Sequence, residues 1–424
     1  MFLDSLDIAN RGCIHLGATQ IASPSEDSVN NNTMSMLYDK LRRAELQRND
    51  WVFSIKTAPL RAIDTTTFEL APAQWNAGIY YLPGSIVSDA NGQLYISASD
   101  NNIGNDPVTS GVWQSYFGPM TADAYDTTGG TAYYAGELVY ITKSDGSYIV
   151  YLSRVNNNTE VPNTADAWSA TNTYKQDDTV SYGGSQWRSL IAFNTNNTPV
   201  QGPANWVATQ TYAAGVQVTG TDGFIYTSQN NGNVGNNPVT DSGTNWTNTD
   251  VPNAWSSTPT IPASSNLWTP LFAGLKAFNF VYPLGAGPFS QSLTRNVYRK
   301  PAGFLRVCPQ RPKSGISSFL GAPSGHMIED WQYEGKFIIS QDPGPLMFRF
   351  AADVIKVTDM DDMFCEGLGA RMGLEGCETI TNSTSKQQTC NTAYMKFMGE
   401  ARMNNAIEVG PVEPPEDDYL TCRI

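Results

Sequence analysis

The sequence predicts an α+β chain: a discontinuous helical bundle with a small β part, interrupted by an array of small all-β hairpin modules. Three observations predict it. Two amphipathic helical stretches lie back to back near the C-terminus, over Met363–Ile407. Their apolar stripes need a partner, and matching stripes occur more than 300 residues earlier, at the N-terminus. Between the two ends, a pattern of Trp, Tyr, Val, Gly and Pro recurs at fixed spacing.

Residues 1–24 read as a short helix and a turn, with Leu6, Ile8, Cys13, Ile14 and Leu16 as apolar positions and Gly17 as the stop. Ser25-Glu26-Asp27-Ser28 offers a capping hydroxyl and two acids for the positive end of a helix dipole. The next helix is expected to run to about Arg48. Met34, Leu37, Leu41 and Ala44 face inward, while Lys40, Arg42, Arg43 and Arg48 project from other faces. Asn49-Asp50 ends it, and Trp51 and Phe53 are placed to seal it against a core, completing a unit over residues 1–70.

From Ala71 the texture changes. Trp75, Trp168 and Trp206 each precede a Tyr by six residues (Tyr81, Tyr174, Tyr212) and a Val by twelve (Val87, Val180, Val218). A turn pair follows: Asn91-Gly92, Gly183-Gly184 or Asp222-Gly223. Such pairs tolerate positive φ and mark tight hairpins. Then come an aromatic (Tyr95, Trp187, Tyr226), a Pro (Pro107, Pro199, Pro238) and a closing Trp (Trp113, Trp206, Trp246). A degenerate copy runs through Tyr134, Gly136, Val139, Asp145-Gly146, Tyr148, Pro162 and Trp168, with Thr at the leading position. Trp168 and Trp206 each stand where one unit closes and the next opens. The spacing therefore predicts four modules in tandem, at 71–117, 118–167, 168–205 and 206–250.

Residues 251–275 read as an ordered linker, with Trp255 and Trp268 as isolated anchors. Residues 276–408 carry the β part and the C-terminal helices. Strand signals fall at Phe278–Tyr282, Asn296–Lys300, Phe304–Val307 and Leu346–Phe350, a hairpin at Trp331–Ile339, and an exposed loop at Gln310–Met327. The first C-terminal helix presents Phe364, Leu368, Met372 and Leu374, with Gly369, Ala370 and Gly373 allowing close packing. Thr379–Ser385 breaks the pattern, and the second helix carries Tyr394, Phe397, Met398, Ala401 and Ile407 on one side. Residues 409–424 are an acidic, Pro-rich tail.

The net charge of -14 excludes a surface built to wrap nucleic acid, which needs clustered Lys and Arg. Cysteines 13, 308, 365, 377, 390 and 422 lack the Cys-x-x-Cys spacing of a metal site and are expected to be reduced thiols of a protein assembled in a cytosol. The first seven residues carry Asp4 and Asp7 and no basic region, unlike a signal peptide. No apolar run approaches the ~20 residues of a membrane span, so no membrane insertion is expected.

Catalytic signals are weak. His15 falls in a helix, where a structural role is expected. His326 lies near Ser324 and Glu329, but Gly321–Gly325 lacks the spacing of a nucleophile elbow. Asp359–Asp362 misses the calcium-loop pattern, with Met363 and no turn Gly, and suits a helix cap instead. Neither an enzyme, a metal nor a cofactor is expected.

Two resemblances add to this reading. The modules resemble the small chitin-binding modules of bacterial chitinases, most closely at Ala167-Trp168, Tyr174, Asp178–Gly184 and Trp187. In that family exposed aromatics stack on sugar rings, which would make Tyr81, Tyr95, Tyr174, Trp187, Tyr212 and Tyr226 the candidate sugar-stacking residues. Against that, a module of about 40 residues has little core, so most of its aromatics must be buried to hold it together.

The outer parts, 1–70 and 276–408, resemble the head-to-tail adaptor (tail tubular protein A) of short-tailed bacteriophages. The resemblance rests on Leu16-Gly17 with Ile21, on Leu46 with Trp51 and Phe53, and on Pro301 before Leu305-Arg306-Val307. It continues through Arg349-Phe350, Asp353, Asp359–Phe364, Tyr394 and Ala401. Ala302 stands where that family usually has Asp. The resemblance implies a virion protein at the head–tail junction, assembled in the host bacterial cytoplasm. It would self-associate into a ring, about twelve-fold in that family, between the portal protein and the tail nozzle, with viral DNA passing through unread. The insert would project outward, and Glu413, Glu416, Asp417, Asp418 and Tyr419 would be the portal-contacting tail; a solvated tail is the other reading of that segment. The alternative function is a virion-surface or secreted polysaccharide-binding protein in which the repeats bind glycan.

Overall fold

The computed structural model describes residues 2–99, 102–143, 146–163, 165–176, 178–183, 185–257, 265, 267–277, 296–308, 331–340 and 344–409. The strand signal at 278–282, the loop at 310–327 with His326, Cys422 and the tail residues Glu413, Glu416, Asp417, Asp418 and Tyr419 lie outside them.

Four helices form the bundle: α1 (Ser5–Leu16), α2 (Val29–Arg48), α3 (Asp362–Ile380) and α4 (Thr384–Val409). Asp4, Ser28 and Asp361 cap the first three by accepting backbone N–H bonds, so the hydroxyl that starts α2 is Ser28 rather than Ser25. Gly17 leaves α1 at φ +66°, a conformation cheap only for Gly. Helix α3 is central and packs on the other three. Its glycines set the spacing: a Cβ at Gly369 would lie 3.1 Å from the Ile8 carbonyl oxygen, and one at Gly373 would lie 3.0 Å from that of Gly12. Ile8, Cys13, Leu16, Met34, Trp51, Phe364, Leu368, Met372, Cys390 and Met398 fill one core drawn from both chain ends.

A three-stranded sheet binds the ends again. Strand β1 (Ile55–Leu60) pairs antiparallel with β3 (Leu346–Ala352), which also pairs with β2 (Phe304–Val307), so among the described residues β3 is central and β1 is an edge. Asn296–Arg299 and the hairpin Trp331–Glu334/Phe337–Ser340 make a second sheet.

The charge pattern misplaces one residue. Arg42 is buried rather than projecting, and it donates to Asp353 Oδ1 and to the Val354 carbonyl, both at 2.5 Å. Glu45 is also buried, held by Arg371 and by the Tyr394 hydroxyl at 2.8 Å. Ile407, expected inward, is exposed, because α4 buries only the stripe Cys390, Tyr394, Met398 and Ala401. Leu37, Ala44 and Leu374 are half-buried. The five described cysteines are buried and free.

The modules are hairpins closed by a third, Trp-bearing strand, but they are not all in tandem. The first is contiguous: Ile86–Ser88, Leu94–Ser97 and Trp113–Ser115. So is the fourth, with Gln217–Thr219, Phe224–Ser228 and Trp246–Pro252. The third hairpin, Thr179–Tyr182/Ser185–Ser189, is closed by Trp255–Ser256, beyond the fourth module. The second, Leu138–Thr142/Tyr148–Ser153, is closed by Trp268–Leu271, beyond both. The fourth module is nested in the third, and the third in the second. The stretch 251–275 is therefore not a linker, since it supplies two closing strands.

The physical reason is that a closing Trp must reach the loop after its own hairpin. Trp113, Trp268, Trp255 and Trp246 donate their indole N–H to the carbonyls of Asn105, Glu160, Asn197 and Asn236 at 3.0, 2.8, 2.7 and 2.9 Å. Trp168 and Trp206 instead pack, half-buried, on the cores of the modules they lead. The degenerate copy also shifts. Tyr125 leads it, Tyr133 rather than Tyr134 fills its core, and Tyr151 rather than Tyr148 stands opposite Val139.

Candidate functional site

Each module is built on the same buried kernel. The Tyr six residues after the leading Trp hydrogen-bonds a backbone N–H beside that Trp: Tyr81 accepts from Asn76, Tyr174 from Ser169 and Tyr212 from Val207. It also meets the closing Trp edge to face, with centroids 5.2 to 5.4 Å apart in these three modules. Below it lies a Ser–Asn pair five residues apart: Ser97–Asn102, Ser153–Asn158, Ser189–Asn194 and Ser228–Asn233. All eight residues are buried. Each amide donates to its Ser hydroxyl, and each hydroxyl donates to the carbonyl two residues on. Buried polar groups satisfied in this way make the loop rigid. The Ser-x-x-x-x-Asn spacing recurs in all four modules, but Ser and Asn also read as turn residues, so the sequence alone does not mark the pair as core.

This kernel decides the fate of the candidate sugar-stacking residues. Tyr81, Tyr95, Tyr174, Tyr212 and Tyr226 are buried in module cores and present no free face. A ring that holds a small core together cannot also lie open to a sugar, so these five are structural. Trp187 differs. It is half-buried, and its indole N–H donates to the Tyr182 carbonyl at 3.1 Å. Tyr182 is exposed and meets the half-buried Trp168 edge to face at 5.3 Å. Tyr182 thus links to Trp168 through its ring and to Trp187 through its backbone carbonyl. The corresponding turn positions in the first and fourth modules are Asp89 and Gly220. Partly exposed aromatic rings suit a ligand with an apolar face and a polar edge.

A perturbed carboxyl pair lies elsewhere, where the second module meets residues 61–67. Asp123 accepts from the Thr67 hydroxyl at 2.5 Å, and burial pushes its carboxyl up to about 6 against that bond. Beside it, buried Glu137 holds Arg61 at 3.0 Å through both oxygens, and its carboxyl is also raised, by burial first. For Asp123 the folded state binds the proton more tightly than the unfolded chain does. Stability is therefore present at low pH and falls as pH rises from 3.8 through about 6. At ~1.4 kcal/mol per pH unit the loss approaches about 3 kcal/mol. Asp123→Asn, which still accepts from Thr67, is expected to stabilise the protein at pH 7 by up to that amount and to have little effect at pH 4. Paired urea titrations at the two pH values check this, and equal effects at both would refute it.

The remaining signals are structural. The thiols of Cys13, Cys308, Cys365 and Cys390 are pushed up by burial. His15 has its pKa lowered by burial and packs 5.8 Å from the Phe397 ring. Asp361 caps α3. Among the described residues, no cluster of three metal-ligating side chains occurs and no helix is long and apolar enough to cross a membrane. No known protein family matches the chain, and no curated protein matches it.

Proposed function

We propose that this chain is a structural virion protein, a head-to-tail connector subunit that forms a ring between a portal protein and a tail nozzle. The observation that carries the reading is the discontinuous bundle. Helices from both chain ends share one core, β1 pairs with β3 across the whole insert, and the modules lie between, the first contiguous and the second to fourth nested. The sequence resemblance of those same outer parts to short-tailed phage adaptors supplies the function. The test is the solution mass of the protein alone and with a portal protein. A ring of about twelve copies, formed alone or on the portal, supports the proposal. A stable monomer that ignores portals sinks it.

A second reading is favoured by Trp168, Tyr182 and Trp187: the third module binds polysaccharide, as an accessory to the ring or as the main role. Retention on chitin or cell-wall polysaccharide is expected to fall at least about tenfold in a Tyr182→Ala, Trp187→Ala double variant with its fold intact. Unchanged retention, or none in the parent, removes this reading.

A further inference from the structure

We propose that the cleft between the bundle sheet and the first two modules takes the chain's own acidic carboxy-terminal segment, residues 410–424, as an added β-strand on the free edge of β1. The cleft holds about 880 Å³ and is lined by Lys56, Thr57, Pro59, Ser115, Gly136 and Lys356, among others. Two sheet edges open into it. Among the described residues, strand β1 pairs only with β3, and the Trp113–Ser115 strand pairs only with its hairpin neighbour.

Backbone alternation says which groups are available. The Arg349 carbonyl accepts from Cys308 on the β2 side, so β3 bonds β1 through its alternate residues, opposite Lys56, Ala58 and Leu60. Thr57 and Pro59 then turn their polar groups outward. A Pro there costs the existing ladder nothing. On the facing wall Ala98 donates to Val112 and Tyr116 donates to Leu94, which places the N–H and C=O of Ser115 outward. The Ser115 hydroxyl has no hydrogen-bond partner among the described residues. Unpaired edges are the template on which extended peptides add as strands.

Charge selects an acidic occupant. Lys56 lies 5.6 Å from the Phe117 ring centroid, and Lys356 donates to the carbonyls of Ser110 and Trp113. Among the described residues neither ammonium is ion-paired with a carboxylate. Asp359, also in the lining, offsets one of the two charges and leaves the lining net positive. The segment 410–424 offers Glu413, Glu416, Asp417 and Asp418 against Arg423. Pro414 and Pro415 have no N–H to give, which leaves 416–422 to pair. Proximity favours the same chain. The Asn405 side chain of α4 donates to the Asp50 carbonyl and accepts from the Val52 N–H, four residues before Lys56. From Val409, fifteen extended residues reach ~50 Å.

The test is amide hydrogen exchange at Thr57 and Ser115, in the full chain and in a chain ending at Val409. Truncation is expected to speed both by at least about tenfold, and a synthetic peptide of residues 410–424 should restore protection. Lys56→Glu in the full chain should speed them as well. Exchange unchanged by truncation overturns the proposal. Protection lost on about a hundredfold dilution would assign the strand to another copy and overturn the intrachain form. The readout needs neither portal nor glycan, so it stands whatever those tests return.

Discussion

Gly373→Val is expected to cost more than about 3 kcal/mol, enough to unfold the bundle in a protein of ordinary stability. A side chain at this position meets backbone rather than a movable side chain: the Gly12 carbonyl oxygen would lie 3.0 Å from the new Cβ. The contact is reciprocal, since a Cβ at Gly12 would lie 3.3 Å from the Gly373 nitrogen. Relief requires moving α1 off α3, which opens the core around Ile8, Cys13 and Leu368. Gly399→Ala on α4 is the control, because a Cβ there meets nothing within 4 Å. Removing a helix glycine's excess freedom should stabilise by ~0.5–1 kcal/mol. Urea midpoints followed by helical circular dichroism compare the two. If Gly373→Val lies within ~0.5 kcal/mol of the parent, the close approach of α1 and α3 is wrong.

The helices were legible because stripes such as Phe364, Leu368 and Met372 repeat at helical spacing, and because Gly17 and Asn49 stop them where expected. Arg42 was not legible. Local periodicity puts a guanidinium on the surface, and what draws it inside is Asp353, 311 residues further on. A buried pair of this kind belongs to the tertiary fold, not to the helix pattern. The same divide runs through the candidate site. Turn chemistry marked each hairpin, but whether a ring is core or surface depends on which Trp closes over it. Tyr174 is covered by Trp255, which lies in the stretch that composition alone reads as a linker. Eight tryptophans between 75 and 268 contained the missing signal. Setting aside the hairpin residue Trp187, and with Tyr125 leading the second module, they supply every remaining leading and closing position with none shared.

Nesting makes the largest difference to what can be removed. Excising residues 203–252 is expected to leave the rest folded, because a Cβ at Gly202 would already collide with the Asn253 side chain. The two cut ends are neighbours, and a short Gly link can join them. Loop-closure entropy raises no objection, since each doubling of loop length costs only ~0.6 kcal/mol. Deleting 168–205, the unit that tandem spacing suggests, should fail. It strips the hairpin from Trp255 and leaves that indole with no core to fill. Trp255→Ala should destabilise the third module by about 3–5 kcal/mol while sparing the fourth, although it lies beyond the fourth in sequence. Limited proteolysis read by mass spectrometry distinguishes the schemes. Nesting requires new cuts within 168–201 in Trp255→Ala and an intact 206–250 fragment. Tandem packing requires Trp206→Ala, and not Trp255→Ala, to open the third module. Because the leading Trp206 packs on Tyr212 and Trp246 in its own core, its removal should instead expose the fourth module and leave 168–201 resistant.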